Sequence, residues 1–407
     1  MKLNDTQFRR HAAVPMRVAL VTETYPPEIN GVAMTLGRIV DGLRRRQHPV
    51  QVIRPRQQAQ ELPVRDDTLH EVLVKGFPIP RYPDLRCGLP APNTLARLWS
   101  AMPPDIVHIA TQGPLGWSAI AAARKLKLPV SSSFHTNFDA YSRHYGLGIL
   151  KPAISGYLRH FHNRTDATLV PTQGLAQMLV SAGYRNVGIV SRGVDTRLFN
   201  PGRRSNELRA QWGAAPGELV VSYVGRLAPE KNLDLVFATF DEIKRVRPDA
   251  RLLLVGDGPQ RAARTMRHPE HIFAGMRRGE DLAAHYASSD LFLFPSLTET
   301  FGNVTAEALA SGLGVVSYNY AAAAELIEDG HNGLLASPGD AIAFMQSAMN
   351  LATNPSQLLR FRLRATASIA RLDWEHVHDG FAATLAELVA THQRKQRAKN
   401  ALVVATD

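Results

Sequence analysis

Two glutamates eight residues apart, Glu299 and Glu307, flank Phe301-Gly302-Asn303 in the segment PSLTETFGNVTAEALA. An ionised carboxylate only accepts hydrogen bonds, whereas sugar hydroxyls donate them, so two carboxylates held at different points can read two sets of hydroxyls. The apolar run Leu291–Phe294 ahead of them reads as a buried strand, and a helix is expected from about Val304. Glu299 then lies in the loop and Glu307 on the first full turns of the helix. The amides of Phe301, Gly302 and Asn303 fall at the helix N-terminus, where N–H groups and the helix dipole favour a phosphate.

A second set of residues suits the charge of a diphosphate. Gly225-Arg226-Leu-Ala-Pro-Glu230-Lys231-Asn follows the apolar run Val220–Val224. Arg226 offers a fork of donors and Lys231 a mobile point charge, and together they can neutralise a diphosphate without a metal. Read alone, the loop is equally a solvated basic turn. Asp257 sits in Val255-Gly256-Asp257-Gly258-Pro259, a glycine-rich turn that either shapes a nucleotide site or simply reverses the chain.

In the first half, His135 of SSFHTN follows another strand end. It can orient a sugar or shelter developing positive charge, and a structural histidine fits as well. Gly31 closes Tyr25-Pro-Pro-Glu-Ile-Asn-Gly31 and opens a helix, where a glycine lets backbone approach a phosphate. His108 lies inside an apolar run and reads as a packing residue. The dinucleotide fingerprint GxGxxG is missing, as are HExxH, GxSxG, Walker A and paired-cysteine motifs, and the one cysteine gives no hint of a Cys-based metal site.

The elements that must position these residues recur twice. Met16–Glu23, Val50–Ile53, Asp105–Ile109, Val130–Phe134, Thr168–Pro171 and Val187–Val190 read as strands in the first half. Val220–Val224, Arg251–Val255, His271–Ala274, Leu291–Phe294 and Gly314–Ser317 do so in the second. Continuous β-branched runs with helical stretches between them predict parallel sheets covered on both faces, hence two doubly wound α/β units in tandem. In such sheets ligands bind beyond the carboxyl ends of the strands, where the residues above fall. Residues 1–15 read as a polar leader, 16–198 as a first Rossmann-like domain and 199–372 as a second. Residues 373–407 read as a terminal helix, to about Gln396, with a tail.

Composition narrows the function classes. Forty-five per cent hydrophobic residues with 29 Gly and 26 Pro describe a globular chain. The single cysteine, Cys87, excludes an intramolecular disulfide, and a cytoplasmic setting follows most simply. No apolar run is long enough to span a bilayer. The net charge of +11 is unevenly spread. Residues 1–200 hold 25 Lys and Arg against 13 Asp and Glu, and the remainder hold 22 against 23. Without a zinc-finger or RNA-binding signature, this basic half predicts an anionic membrane face as partner and no nucleic acid, with a plain basic surface as the alternative.

Taken in order, PSLTETFGNVTAEALASGLGVV, VGRLAPEKN, LLLVGDGP and DGHNGLL resemble glycosyltransferase family 4, retaining enzymes of the GT-B fold. The likeness runs from Met16 to about Gln396. RVALVTETYPPEINGVAMTL and SSFHTNFDAY are similar to members acting on lipid-linked or glycolipid acceptors, among them GDP-mannose-dependent mannosyltransferases and diacylglycerol or sulfoquinovosyl-type enzymes. The resemblance implies two facing Rossmann-like domains with a cleft between them, the acceptor on the first and the donor on the second. It implies retention, no metal or other cofactor, a nucleotide diphosphate sugar as co-substrate, and a terminal helix returning to the first domain. By position, Arg226 and Lys231 would hold the diphosphate, Glu299 and Phe301–Asn303 the donor sugar, and Glu307 the ribose. Gly31 would approach the phosphates, and His135 would sit beside the sugar.

The implied activity is hexose transfer from GDP-mannose or a UDP-hexose to a lipid acceptor, on the cytoplasmic side and peripheral to the membrane. Nucleotide-sugar 2-epimerisation and a catalytically silent nucleotide-binding protein are the alternatives. Two departures stand out. Asn319-Tyr-Ala-Ala-Ala-Ala-Glu325 replaces a Gly-Gly common in relatives, and Gly314 replaces a common proline. The first leaves the donor sugar open.

Overall fold

The computed structural model describes residues 14–404 apart from 29, 59, 80, 81 and 136–150. All but two residues of the polar leader, and the end of the SSFHTNFDAY segment, therefore lie outside the described residues. The chain divides into two compact units. One comprises residues 1–133, 164–167 and 382–407, and the other comprises 134–163 and 168–381.

Fifteen strands follow one another among the described residues. They are β1 Val18–Val21, β2 Val50–Pro55, β3 Leu69–Val74, β4 Gly76–Ile79, β5 Tyr82–Gly88, β6 Ile106–Ile109, β7 Val130–Ser133, β8 Ala167–Val170 and β9 Val187–Ile189. Then come β10 Val220–Val224, β11 Arg251–Val255, β12 Ile272–Gly275, β13 Leu291–Phe294, β14 Gly314–Tyr318 and β15 Leu334–Ala336. They build a sheet of order β3-β2-β1-β6-β7-β8-β9, another of order β12-β11-β10-β13-β14-β15, and a small antiparallel pair β4-β5. The two large sheets are parallel and doubly wound, as the continuous apolar runs predict. Every residue of β10 and of β13 is buried, because helices cover both faces.

Reversal of the strand order creates a switch point beside the first strand of each large sheet: β1 against β6, and β10 against β13. At the second, Asp290 ties the two strands together at their starts. Its carboxylate accepts from the backbone amide of Val220 at 2.9 Å and pairs with Arg204, Arg209 and Arg362 at 2.9, 3.0 and 2.9 Å. The Val220 amide joins the start of β10 to the residue before β13, and three cations hold that buried carboxylate in place. The loops leaving the other ends of the two strands are thereby placed side by side.

Hydrophobic pattern did not reveal β3, because Leu69–Val74 carries a polar pair, His70 and Glu71, in its middle. Glu71 is buried, and its Oε1 lies 3.3 Å from Nε of Arg54 on β2, which also pairs with Glu61 at 2.7 Å. A buried ion cluster replaces apolar contact there, and hydropathy cannot register it. The last helix, Trp374–Val404, runs beyond the expected end near Gln396. Within the first unit, its His392 and Gln396 side chains bond the Lys127 carbonyl at 2.8 and 3.0 Å.

Candidate active site at the β10–β13 switch point

The loop after β10 is built on glycines. Gly225 adopts φ +151°, and its amide donates to the Val255 carbonyl at 2.9 Å. The turn after β11 packs directly under it: a Cβ on Gly256 would strike the Gly225 carbonyl, and one on Gly258 the Leu227 carbonyl. Both also hold left-handed φ values, +132° and +158°, so glycine is required there twice over. Asp257, between them, is exposed. It accepts from the Gly258 amide at 2.7 Å and pairs with Arg261 at 3.0 Å, while its carbonyl accepts from the Leu227 amide at 2.9 Å. Asp257 thus shapes the turn that supports the Arg226 loop.

Above that support stand the two expected cations. The buried Tyr223 hydroxyl donates to the Arg226 carbonyl at 3.0 Å and fixes the backbone. Arg226 Nη1 lies 3.6 Å from Oε1 of Glu230, a buried carboxylate. Lys231 crosses from this loop to the next and forms an ion pair with Glu299. Glu299 is further held by Ser296, whose hydroxyl donates to Oε1 at 2.8 Å, and by Tyr320, whose hydroxyl donates to the Glu299 carbonyl at 2.8 Å.

The chain then turns into its helix. Phe301 is buried, and its carbonyl accepts from the Ala322 amide at 2.7 Å. Gly302 takes φ +91° as the residue before the helix Asn303–Ala310, a conformation a side chain would strain. Buried Oδ1 of Asn303 has no hydrogen-bond partner among the described residues. One turn on, Glu307 accepts from the buried Tyr286 hydroxyl at 2.9 Å, and burial pushes its carboxyl up to about 7. Burial likewise raises the Tyr286 hydroxyl well above its ordinary value, so that it stays a donor.

His135, after β7, belongs to the same unit as these residues. Its Nδ1 lies 3.3 Å from Nη2 of Arg192, which follows β9. Arg192 is buried, and that burial lowers its guanidinium to about 10 against the opposing pull of the Glu299 charge. Sequence reading passed over Arg192, although an arginine just beyond a strand end, in Ser191-Arg192-Gly193, carried the same signal that singled out His135. Tyr223, Tyr286 and Tyr320 had no such signal, since only packing aims their hydroxyls. His108 packs as read: it lies buried between Ser131 and Ser133 hydroxyls, each 2.9 Å away, and burial lowers it to about 3.

Gly31 lies in the other unit, on the first turn of the helix Gly31–Arg45. Asn30 caps that helix, accepting from the Val32 and Ala33 amides at 3.1 and 2.9 Å. A Cβ on Gly31 would meet no atom within 4 Å, so packing within the protein does not call for glycine there. Away from the candidate site, His268, Glu270 and His271 have side-chain donors close enough to share a metal ion.

Two family models cover most of the chain: Glycosyltransferase Family 4 over residues 29–198 and Glycosyl transferases group 1 over residues 218–354. A GDP-mannose-dependent alpha-mannosyltransferase of Mycolicibacterium smegmatis is 36% identical over 324 residues, covering 79% of this chain and 84% of that protein. The chain belongs to glycosyltransferase family 4. This family 4 glycosyltransferase is also 32% identical to the sulfoquinovosyl transferase SQD2 of Arabidopsis thaliana, over 65% of its own length and 53% of that protein. Among solved structures, a sucrose-phosphate synthase of Thermosynechococcus elongatus superposes with a TM-score of 0.76 at 18% identity, covering 92% of this chain and all of that one. Such neighbours are GT-B glycosyltransferases, which agrees with the two parallel Rossmann-like sheets of this one. Among its described residues no helix is long and apolar enough to cross a membrane.

Proposed function

We propose that this glycosyltransferase moves a hexose from a nucleotide diphosphate sugar, GDP-mannose or a UDP-hexose, onto a hydroxyl of a lipid or lipid-linked acceptor, with retention of configuration. The observation that carries the reading is the Lys231–Glu299 pair at the switch point, flanked by Arg226 and Glu307. In that reading the diphosphate takes Lys231 and Arg226, sugar hydroxyls take Glu299 and the amides of Phe301–Asn303, and the ribose takes Glu307. Asp257 holds the underlying turn. Gly31 leaves room for the phosphates, and His135 lies beside the sugar.

The acceptor hydroxyl attacks on the face from which the diphosphate departs, through a transition state resembling an oxocarbenium ion. Arg226 and Lys231 stabilise the growing charge on the leaving group, whose oxygen takes the acceptor proton. Two cations so placed do the work a metal ion would do, and the reaction is read as metal-independent. The relatives named as a mannosyltransferase and a sulfoquinovosyl transferase support hexose-type transfer. The basic surplus of residues 1–200 supports an acceptor presented at the anionic inner face of the cytoplasmic membrane, with the enzyme cytoplasmic and peripheral. Residues 373–407 complete the first domain in this reading.

Thermal stabilisation by UDP and by GDP, each with Glu307→Ala alongside, tests it. A ligand at about 100 times its Kd adds roughly 2.7 kcal/mol of stability, which a melting curve resolves. The expected result is a shift with one nucleotide that the variant loses, followed by transfer of the matching labelled sugar to a lipid extract with EDTA present. Conversion of the donor without acceptor would replace transfer by epimerisation. Nucleotide binding without turnover would leave a silent binding protein.

A further inference from the structure

Among the described residues, three of the four buried arginines have carboxylate partners. Arg54 pairs with Glu61 and Glu71, Arg209 with Asp290, and Arg264 with Asp234. The cations of the candidate site are matched too, Arg226 with Glu230 and Lys231 with Glu299. Arg192 breaks the pattern. It is 8% exposed, and its side chain makes one hydrogen bond, 3.3 Å to Nδ1 of His135, and no ion pair among the described residues. Five donors on a fixed cation are thus left largely unused in a place where an unpaired charge is costly.

The backbone at Arg192 is pinned. A Cβ on Gly193 would run into the ring of Trp374, 2.8 Å from its Cγ, and the next amide, Val194, donates to the Leu372 carbonyl at 2.9 Å. His135 adds direction. Its Nδ1 accepts from Nη2 of the guanidinium, which holds one end of the Arg192 fork and leaves its other N–H groups to face a ligand. A buried guanidinium with several N–H donors, held by a pinned backbone, makes a receptor for an anion.

We propose that Arg192 is an anion-binding residue, taking a phosphate-, carboxylate- or sulfonate-type group of the substrate at the sugar end of the site. The inference rests on the reading above that His135 and Glu299 face the donor sugar. Arg226 and Lys231 each have a carboxylate of their own in the protein, so Arg192 is the site's cation with charge to spare. The anion has two sources: the donor diphosphate, or an acidic group on the transferred sugar or on the acceptor head.

Arg192→Gln and Arg192→Lys separate the sources. Calorimetric titration with pyrophosphate, UDP and GDP reads the diphosphate. UDP-glucuronate against UDP-glucose reads an acidic sugar, and phosphatidylglycerol against diacylglycerol as acceptor reads an acidic head. The expected result is a loss of about tenfold or more in one of these arms for Arg192→Gln, the size of one charge-assisted contact, with the neutral counterpart unchanged. Arg192→Lys keeps the charge without the fork and should lose about threefold in the same arm. Folded variants that bind every probe as the wild type does would overturn the proposal, and Arg192→Lys decides the matter if Arg192→Gln does not fold. Pyrophosphate binding needs no turnover. A wild type that binds it through Arg192 yet transfers no sugar would sink the transferase reading alone. Transfer that is indifferent to Arg192 would sink this one alone.

Discussion

Lys231, from the loop after β10, is ion-paired with Glu299, from the loop after β13. Each side chain is about five-sixths buried, so the pair is shielded enough for its attraction to count. In the proposed reading a nucleotide sugar replaces it on both sides, offering phosphate to the lysine and hydroxyls to the glutamate. Until then, each member keeps the other in place.

A double-mutant cycle on this pair should therefore be strongly non-additive. Lys231→Ala and Glu299→Ala should each lower stability by about 1–3 kcal/mol, and the double variant by less than the sum, because neither charge is then stranded. Turnover should fall in each single variant by about 100-fold or more, the usual loss of a transition-state charge contact. Denaturant melts and steady-state rates check both. Additive stabilities would mean that the pair is not formed in solution.

Glu307 predicts a pH dependence. Its carboxyl is raised from an ordinary 4.5 to about 7, so between those values the folded protein binds a proton that the unfolded chain does not. Stability from this group is therefore present below about pH 4.5 and is lost as pH rises through 7. Removing the charge should cancel the effect: Glu307→Gln should be more stable relative to wild type at pH 8 than at pH 5, by up to about 3 kcal/mol. Chemical denaturation at the two pH values measures it, and an equal difference at both would refute the assignment. Ribose hydroxyls favour an ionised carboxylate, so if Glu307 takes the ribose as proposed, nucleotide affinity should also gain from the same rise in pH, and this gain should vanish in the variant.

The glycines under the cation loop should be irreplaceable. Gly256→Ala puts a methyl into the Gly225 carbonyl at a left-handed φ, and Gly258→Ala does the same to Leu227. Each should destabilise by about 3 kcal/mol or more, or about 6–12 °C in Tm for a unit of this size. Gly31→Ala meets open space and should leave Tm within about 1 °C, since exposed changes without lost contacts are near neutral. A loss of nucleotide affinity in Gly31→Ala at unchanged Tm would then report a ligand contact directly.

Tyr320 and Ala321 lie where the chain enters the short helix Ala321–Leu326 after β14. Tyr320→Phe removes the hydrogen bond to the Glu299 carbonyl and should cost about 1 kcal/mol, with KM for the donor rising several-fold. Ala321 sits at φ +53°, a conformation that favours glycine. Ala321→Gly should therefore be neutral or stabilising by up to about 1 kcal/mol. Melting curves for the two variants should move in opposite directions or not at all for the second. A clear drop in Ala321→Gly would show that this backbone strain is not relieved by glycine.

Sequence alone determined the repeated strand–helix rhythm, because strands covered on both faces must be apolar throughout, and β10, β11 and β13 are accordingly read within a residue of their observed ends. It also singled out His135, Arg226, Lys231, Glu299 and Glu307 as candidates, because a doubly wound sheet exposes side chains where strands end. Tertiary structure decided the rest. Only strand order shows that β10 and β13 are neighbours, and only that adjacency lets Lys231 meet Glu299 across 68 positions of chain. Arg192, Tyr286 and Tyr320 act through where their long side chains are aimed, and packing sets that aim. Neither the buried charge of Arg54 nor the spare charge of Arg192 can be told apart in the sequence, because both are one arginine whose partners are chosen by the fold.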